Sequence, residues 1–291
     1  MPELPEVETV RRGLEPVLAG ARLARVVARR PDLRFPLPDG FVQRLTGARI
    51  ERLDRRAKYL LAPLDRDETL VMHLGMSGRF EIANHEMRTR PGDFALAQPP
   101  DPKHAHIVFE TEAGATVTFY DPRRFGYMDL IATDALAEHP WFKGLGPEPV
   151  GGASGCGFDA AYLARAAAGR AAPIKSFLLD QRMIAGLGNI YVCEALHRAG
   201  IAPERAAGGV SRRKLATLVE SIRTVLAEAI EAGGSTLRDY AAADGSLGYF
   251  QHRFAVYGRE GEPCLKPGCK GRIERIVQSG RSTFACNRCQ T

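Results

Sequence analysis

Four cysteines near the carboxy-terminal end constrain this chain more tightly than any other feature. They read C-x4-C-x16-C-x2-C, from Cys264 and Cys269 to Cys286 and Cys289. Two close pairs, joined by a spacer long enough for a hairpin, bring four thiolates into a tetrahedron, the geometry that structural zinc favours. In a reducing compartment this spacing points to one bound Zn2+ rather than to disulfides. So small a module has little core, so the metal holds it folded and contributes on the order of 10 kcal/mol. Four sulfur ligands leave no open coordination site, which argues against a catalytic zinc.

Between the pairs lies IERIVQSGRSTFA, whose Gln278-Ser279-Gly280-Arg281 step predicts a turn with Arg281 at a hairpin tip. An arginine there can enter a groove or clamp phosphates. The formal charge of +6 favours a polyanionic partner, although such an excess is often only a solubility device. With 45% hydrophobic and 25% charged residues, the composition is that of an ordinary globular chain. No apolar run reaches membrane-spanning length, and residues 1–20 lack the order of a signal peptide. The sequence therefore predicts a cytoplasmic protein with no membrane partner.

A chain of 291 residues exceeds the usual single-domain size. From Glu6 to Leu18 the apolar positions recur every three or four residues, predicting an amphipathic helix entered through Pro5. Short β-branched or aromatic runs such as ARLARVVAR, KYLLAPL, TLVMHLGMSGRFEI and ATVTFYD follow, punctuated by Gly, Pro and Asp, and predict an antiparallel sandwich or barrel over about residues 21–130. The Gly- and Pro-rich stretch 136–156 reads as a hinge, and beyond it helical patterns run to about residue 249. The expected fold is multidomain α+β: a catalytic β-sandwich with a leading helix at 1–135, a linker at 136–156, a helical domain at 157–249 and a zinc finger at 250–291.

Three further clusters carry candidate chemistry. PIKSFLLDQRMIAGLGNIYVCEAL places a Gly-Leu-Gly step before a helix that Asn189 is expected to cap; the glycines and the unpaired amides suit a phosphate, with Arg170 and Lys175 upstream. DPRRFGYM sets Arg123, Arg124 and Phe125 on a turn, where they could fill a gap in a base stack or form a plain hairpin with Phe125 in the core. Met76 in HLGMSGR is a core methionine or an exposed wedge, and its glycines favour a turn. Lys58 in RRAKYLL is either solvated or a cleft lysine. His104 and His106 in KHAH are spaced for one strand face.

Read together, MPELPEVE, RRAKYLL, HLGMSG, KHAH, DPRRFG, LGPEP, GLGNIYVCEAL, DGSLGYF, VYGREGEPC and QSGRSTFAC resemble, in order and over nearly the whole chain, the formamidopyrimidine-DNA glycosylase family. The resemblance implies a base-excision-repair enzyme for oxidised purines that also cleaves the strand at the abasic site. It implies that Pro2, once Met1 is removed, is the nucleophile, that Glu3 is the neighbouring acid and base, and that Lys58 and Arg281 assist successive eliminations. Met76, Arg123 and Phe125 would fill the gap left by an extruded base. His104, Arg123, Arg170, Lys175 and Asn189 would hold DNA, and the helices around GLGN would form a helix-two-turn-helix. The implied protein is a monomer on damaged double-stranded DNA, associated with the nucleoid.

The first cysteine pair departs from the common family spacing of C-x2-C, and its two extra residues, among them Pro267 and Gly268, lengthen the knuckle. A sister endonuclease VIII type attacks oxidised pyrimidines with the same proline, but Leu4 stands where that type usually has Gly. A non-catalytic zinc-ribbon protein would explain the cysteines and leave Pro2-Glu3 without a purpose. The Gly-rich stretch EAGGSTLRDYAAADGSLGYF at 231–250 is the expected reader of the extruded base.

Overall fold

The computed structural model describes residues 2–84, 88–91, 100–151, 157–235 and 253–291. The chain forms two compact units. The first runs to Lys143 and takes in the segment from Ala232; the second comprises Gly144–Glu231 and the carboxy-terminal segment to Thr291.

In the first unit, α1 (Leu4–Leu18) is entered through Pro5 and buries Val7, Val10, Leu14 and Leu18, the stripe its sequence spacing dictates. Then come β1 (Leu23–Ala28), α2 (Phe41–Leu45), β2 (Asp54–Arg56), β3 (Tyr59–Pro63), β4 (Glu68–His73), β5 (Arg79–Ala83), β6 (Arg88–Thr89), β7 (Ala105–Thr111), β8 (Thr116–Tyr120) and β9 (Tyr127–Ala132). They make two antiparallel sheets, ordered β1-β7-β8-β5-β6 and β2-β3-β4-β9. One core joins both sheets to α1. Leu14 and Leu18 of the helix share it with Leu60 and Met72 of one sheet and Phe80, Phe109 and Phe119 of the other. Each large side chain so buried contributes about 1.5–3 kcal/mol.

One sequence expectation fails in this unit. His104 and His106 do not share a strand face. Asp101 accepts a hydrogen bond from the Lys103 amide (3.0 Å) and Pro102 fixes the backbone, so Pro102–His104 is a 3-10 turn and only His106 enters β7.

The second unit contains α3 (Ala160–Ala167), α4 (Ile174–Leu179), α5 (Asn189–Ala199), α6 (Arg212–Glu231) and the hairpin β10 (Ile273–Gln278) and β11 (Arg281–Cys286). Helix α5 is enclosed almost all round, with Tyr191, Val192, Ala195 and Leu196 fully buried, and it stops at Gly200 in the left-handed conformation. Asn189 proves to be the first helical residue, not the cap. Gly188 takes the cap position with extended backbone, and the Asn189 side chain turns to the hairpin instead. Among the described residues no helix is long and apolar enough to cross a membrane.

Candidate functional site

Pro2 and Glu3 sit buried at the head of α1, Glu3 only 4% exposed. A carboxylate three residues on holds them. Glu6 accepts the Glu3 amide (2.8 Å) and also the amide and hydroxyl of Ser235 (2.8 and 2.9 Å). One side chain thus fixes both the chain's first turn and the segment leading into 236–250, where the expected base-reading loop lies outside the described residues. Glu6 escaped sequence reasoning, although an acid three residues after a helix-start residue is a recognised capping signal.

Lys58 is buried, 8% exposed, in the tight turn between β2 and β3, where Ala57 adopts φ 53°. Its setting is built by Arg55, whose guanidinium bonds the Ala57 carbonyl (3.1 Å) and the Glu8 carboxylate of α1 (3.1 Å). Burial alone would raise the Glu8 pKa, but hydrogen bonds from Arg11 and Arg12 and the charge of Arg55 bring it below the ordinary value. Helix α1 and the lysine turn are therefore tied by an ionised pair. On β4, beside Tyr59, stands His73. Burial, and then the positive charges of Lys58 and Arg34, lower its pKa to about 4, so the ring is neutral and its Nδ1 accepts the Gly75 amide (3.0 Å).

Met76 and Phe125 rise from two adjoining turns, 39% and 38% exposed. The Arg123 guanidinium lies 4.9 Å above the Phe125 ring. The three line an open cleft of about 600 Å³ together with Arg34, His73 and Arg124. Exposed apolar side chains beside arginines are the opposite of the core hairpin that the sequence left open. The turns are pinned by Asp121, which is fully buried and accepts bonds from Ser77 Oγ (2.5 Å) and the Gly126 amide (2.6 Å). Ser77 Oγ in turn accepts the Arg123 amide (3.2 Å). The Asp121 carbonyl meets Nε2 of buried His106 (2.9 Å). His104 is half-buried at the head of β7.

In the second unit the sulfurs of Cys264, Cys269, Cys286 and Cys289 lie within 4.8 Å of one another. The pairs Cys264–Cys289 and Cys269–Cys286 are 3.8 and 3.7 Å apart. A tetrahedron with Zn–S bonds of about 2.3 Å has edges of about 3.8 Å, so the four thiolates fit one structural zinc. The longer first knuckle is accommodated, with Gly268 at φ 76°. Amides of Lys266 and Gly271 point at Cys264 and Cys269 (3.5 and 3.3 Å).

The hairpin turn is a two-residue loop, Ser279 and Gly280 both at positive φ (50° and 72°), and it leaves Arg281 exposed at the tip as the sequence predicts. Asn189 Nδ2 donates to the Ser282 carbonyl (2.9 Å), one residue from Arg281. Lys175 is not a surface cation. It is wholly buried, and its ammonium donates to the Ser282 carbonyl (3.2 Å) and Thr283 Oγ1 (2.7 Å). Arg170 is exposed after α3. Arg170, Lys175, Asn189 and Arg281 thus belong to the second unit, and Pro2, Glu3, Lys58, Met76, His104, Arg123 and Phe125 to the first. Glu194, missed in the sequence, is 1% exposed and accepts the amides of Ala255, Val256 and Tyr257 (2.9, 3.0 and 2.9 Å).

This combination defines a class: zinc-module proteins in which a two-sheet antiparallel unit led by a buried Pro-Glu pair shares a chain with a helical unit ending in a four-cysteine hairpin. Family models agree segment by segment. The formamidopyrimidine-DNA glycosylase N-terminal domain matches residues 1–128, the H2TH domain of the same enzymes matches 145–241, and a zinc finger found in FPG and IleRS matches 261–291. A formamidopyrimidine-DNA glycosylase of Caulobacter vibrioides is 69% identical, and one of Phenylobacterium zucineum 66%, each over 290 residues and the full length of both chains. A solved Lactococcus lactis Fpg in complex with abasic-site DNA superimposes with a TM-score of 0.84 at 35% identity, again over all of both chains. The chain belongs to the formamidopyrimidine-DNA glycosylase family.

Proposed function

We propose that this protein removes oxidised purines, 8-oxoguanine and formamidopyrimidines, from duplex DNA and then cleaves the strand by β,δ-elimination through a Schiff base on Pro2. The observation that carries the reading is the buried Pro2-Glu3 pair at the head of α1 in a family whose relatives bear the glycosylase name. Lactococcus lactis Fpg has been solved with abasic-site DNA and with N7-benzyl-Fapy-dG DNA. Damaged DNA is accordingly the partner assigned here, and association with the nucleoid follows from that substrate.

Once Met1 is removed, Pro2 offers a free secondary amine that titrates near ~8, so a useful share is unprotonated at neutral pH. Its nitrogen attacks the deoxyribose C1′, the bond from C1′ to the base nitrogen breaks, and the base leaves with a proton. This leaves an aminal at C1′. Its C1′–O4′ bond then breaks, O4′ taking a proton, and the ring opens to the iminium, which draws electrons from C2′, so a C2′ proton is lost and the 3′ phosphate departs. A second elimination then releases the 5′ phosphate. Glu3 carries protons between the sugar oxygen, the amine and solvent. Lys58, held by Arg55, supplies a fixed positive charge for the first elimination; Arg281 supplies one for the second. Met76, Arg123 and Phe125 occupy the gap in the stack, and His104, Arg170 and Asn189 hold the backbone. Lys175 holds DNA through the hairpin it braces. Cys264, Cys269, Cys286 and Cys289 hold the zinc, whose contribution is folding. The functional division assigned to the chain is a catalytic sandwich at 1–135, a linker at 136–156, a helical DNA-binding domain at 157–249 and the zinc finger at 250–291.

Borohydride trapping on defined duplexes tests the substrate. Covalent capture on 8-oxoguanine opposite cytosine is expected. Capture confined to thymine glycol would move the protein to the pyrimidine-specific sister type, and no capture on any lesion or abasic site would leave only a binding protein.

A further inference from the structure

Helix α5 faces the zinc module with a stripe of side chains at four-residue spacing. Asn189 bonds the hairpin beside Arg281, Cys193 packs in one apolar cluster with Cys264 and Cys286, and His197 sits at the far end. His197 is 5% exposed, and its Nε2 lies 3.3 Å from the Cys264 sulfur. Its other ring nitrogen, Nδ1, is buried and has no hydrogen-bond partner among the described residues. The sulfur is therefore the polar neighbour that decides where the ring proton sits.

We propose that His197 is an outer-sphere residue of the zinc centre, donating its Nε2–H to the Cys264 thiolate and so coupling α5, with Asn189 at its start, to the metal. The inference rests on the reading of the four cysteines as a zinc site.

Four thiolates around Zn2+ leave a net charge of −2 in a half-buried place, and such a charge needs donors aimed at the sulfurs. The Lys266 amide reaches Cys264 only at 3.5 Å, so the imidazole is the closer donor to that sulfur. The tautomer is also forced. A proton on Nδ1 would leave a buried N–H unbonded and turn the Nε2 lone pair toward an anionic sulfur, whereas a proton on Nε2 satisfies the thiolate. His197 cannot be a ligand instead, because four sulfurs within 4.8 Å already complete a tetrahedron.

The test uses the full zinc-loaded chain. Zinc transfer to a chromogenic chelator, followed by absorbance at neutral pH, is expected to be about tenfold faster or more in His197→Phe, which keeps a buried ring and loses the donor. His197→Gln, which restores an N–H at similar reach, is expected to return the rate toward that of the parent. Melting of the metal-free proteins should not separate parent from His197→Phe; a difference there as large as in the loaded proteins would mean simple packing and overturn the proposal. Equal release rates for parent and His197→Phe would overturn it as well. In protein reloaded with 113Cd, NMR should show scalar coupling between the metal and the His197 Nε2–H. A resolved ring proton without that coupling, or a proton on Nδ1, refutes the bond even if the variants fail to fold. A chain that binds no zinc would remove the underlying reading, and is recognised separately by metal analysis of the parent.

Discussion

A neutral imidazole beside a cationic lysine is the residue-scale feature with the plainest consequence. His73 stacks on Tyr127 at 4.7 Å, and burial and then the charges of Lys58 and Arg34 bring its pKa down to about 4. In the unfolded chain the same ring titrates near ~6.5. Between those values the unfolded state binds a proton that the folded state refuses. Stability is therefore complete above about pH 6.5 and falls as pH drops toward about 4, by a sum on the order of 3 kcal/mol. NMR titration of the His73 ring should find its inflection near 4; one near 6.5 would mean the ring is neither desolvated nor under the field of Lys58.

At the scale of elements, two close approaches decide where functional side chains stand. Gly75 lies at φ 61°, and a Cβ there would come within 2.2–2.4 Å of the Phe125 and Gly126 backbone. Backbone cannot yield as a side-chain end can. Gly75→Ala should cost about 2 kcal/mol or more and separate Met76 from Phe125, which a thermal melt and loss of excision on lesion duplexes would both register. The other approach is along α5. Glu194→Gln replaces a carboxylate that holds three amides with a group that turns an N–H toward one of them, and should cost about 1–3 kcal/mol in the zinc-loaded protein. Unchanged melting would show that those amides find other acceptors.

For the whole molecule, the zinc-held hairpin and the fold of the first unit are expected to respond separately to loss of the metal. Chelation should abolish DNA binding, because Arg281 rides on the metal-held hairpin, while the far-ultraviolet signature of the first unit's sheets persists. What could be foreseen of this architecture follows sequence distance. The cysteine knuckles, the Ser279-Gly280 turn and the exposed Met76 turn are written in spacings of a few residues, and Pro2-Glu3 in two adjacent ones. Glu194 meets Val256 across 62 residues, His197 meets Cys264 across 67, and Ser77 meets Asp121 across 44. Such partners are chosen by packing, and no local pattern announces them. Lys175 shows the same limit from the other side: a residue type that usually seeks water is buried because the Ser282 carbonyl and the Thr283 hydroxyl satisfy its ammonium.

The mechanism stands or falls on the identity of the attacking amine. After borohydride reduction on abasic-site duplex DNA, the protein should be digested and the peptide carrying the sugar adduct sequenced by mass spectrometry. The adduct is expected on the nitrogen of Pro2, in chains that have lost Met1 and in none that keep it. An adduct on Lys58, or on any chain retaining Met1, would contradict the mechanism.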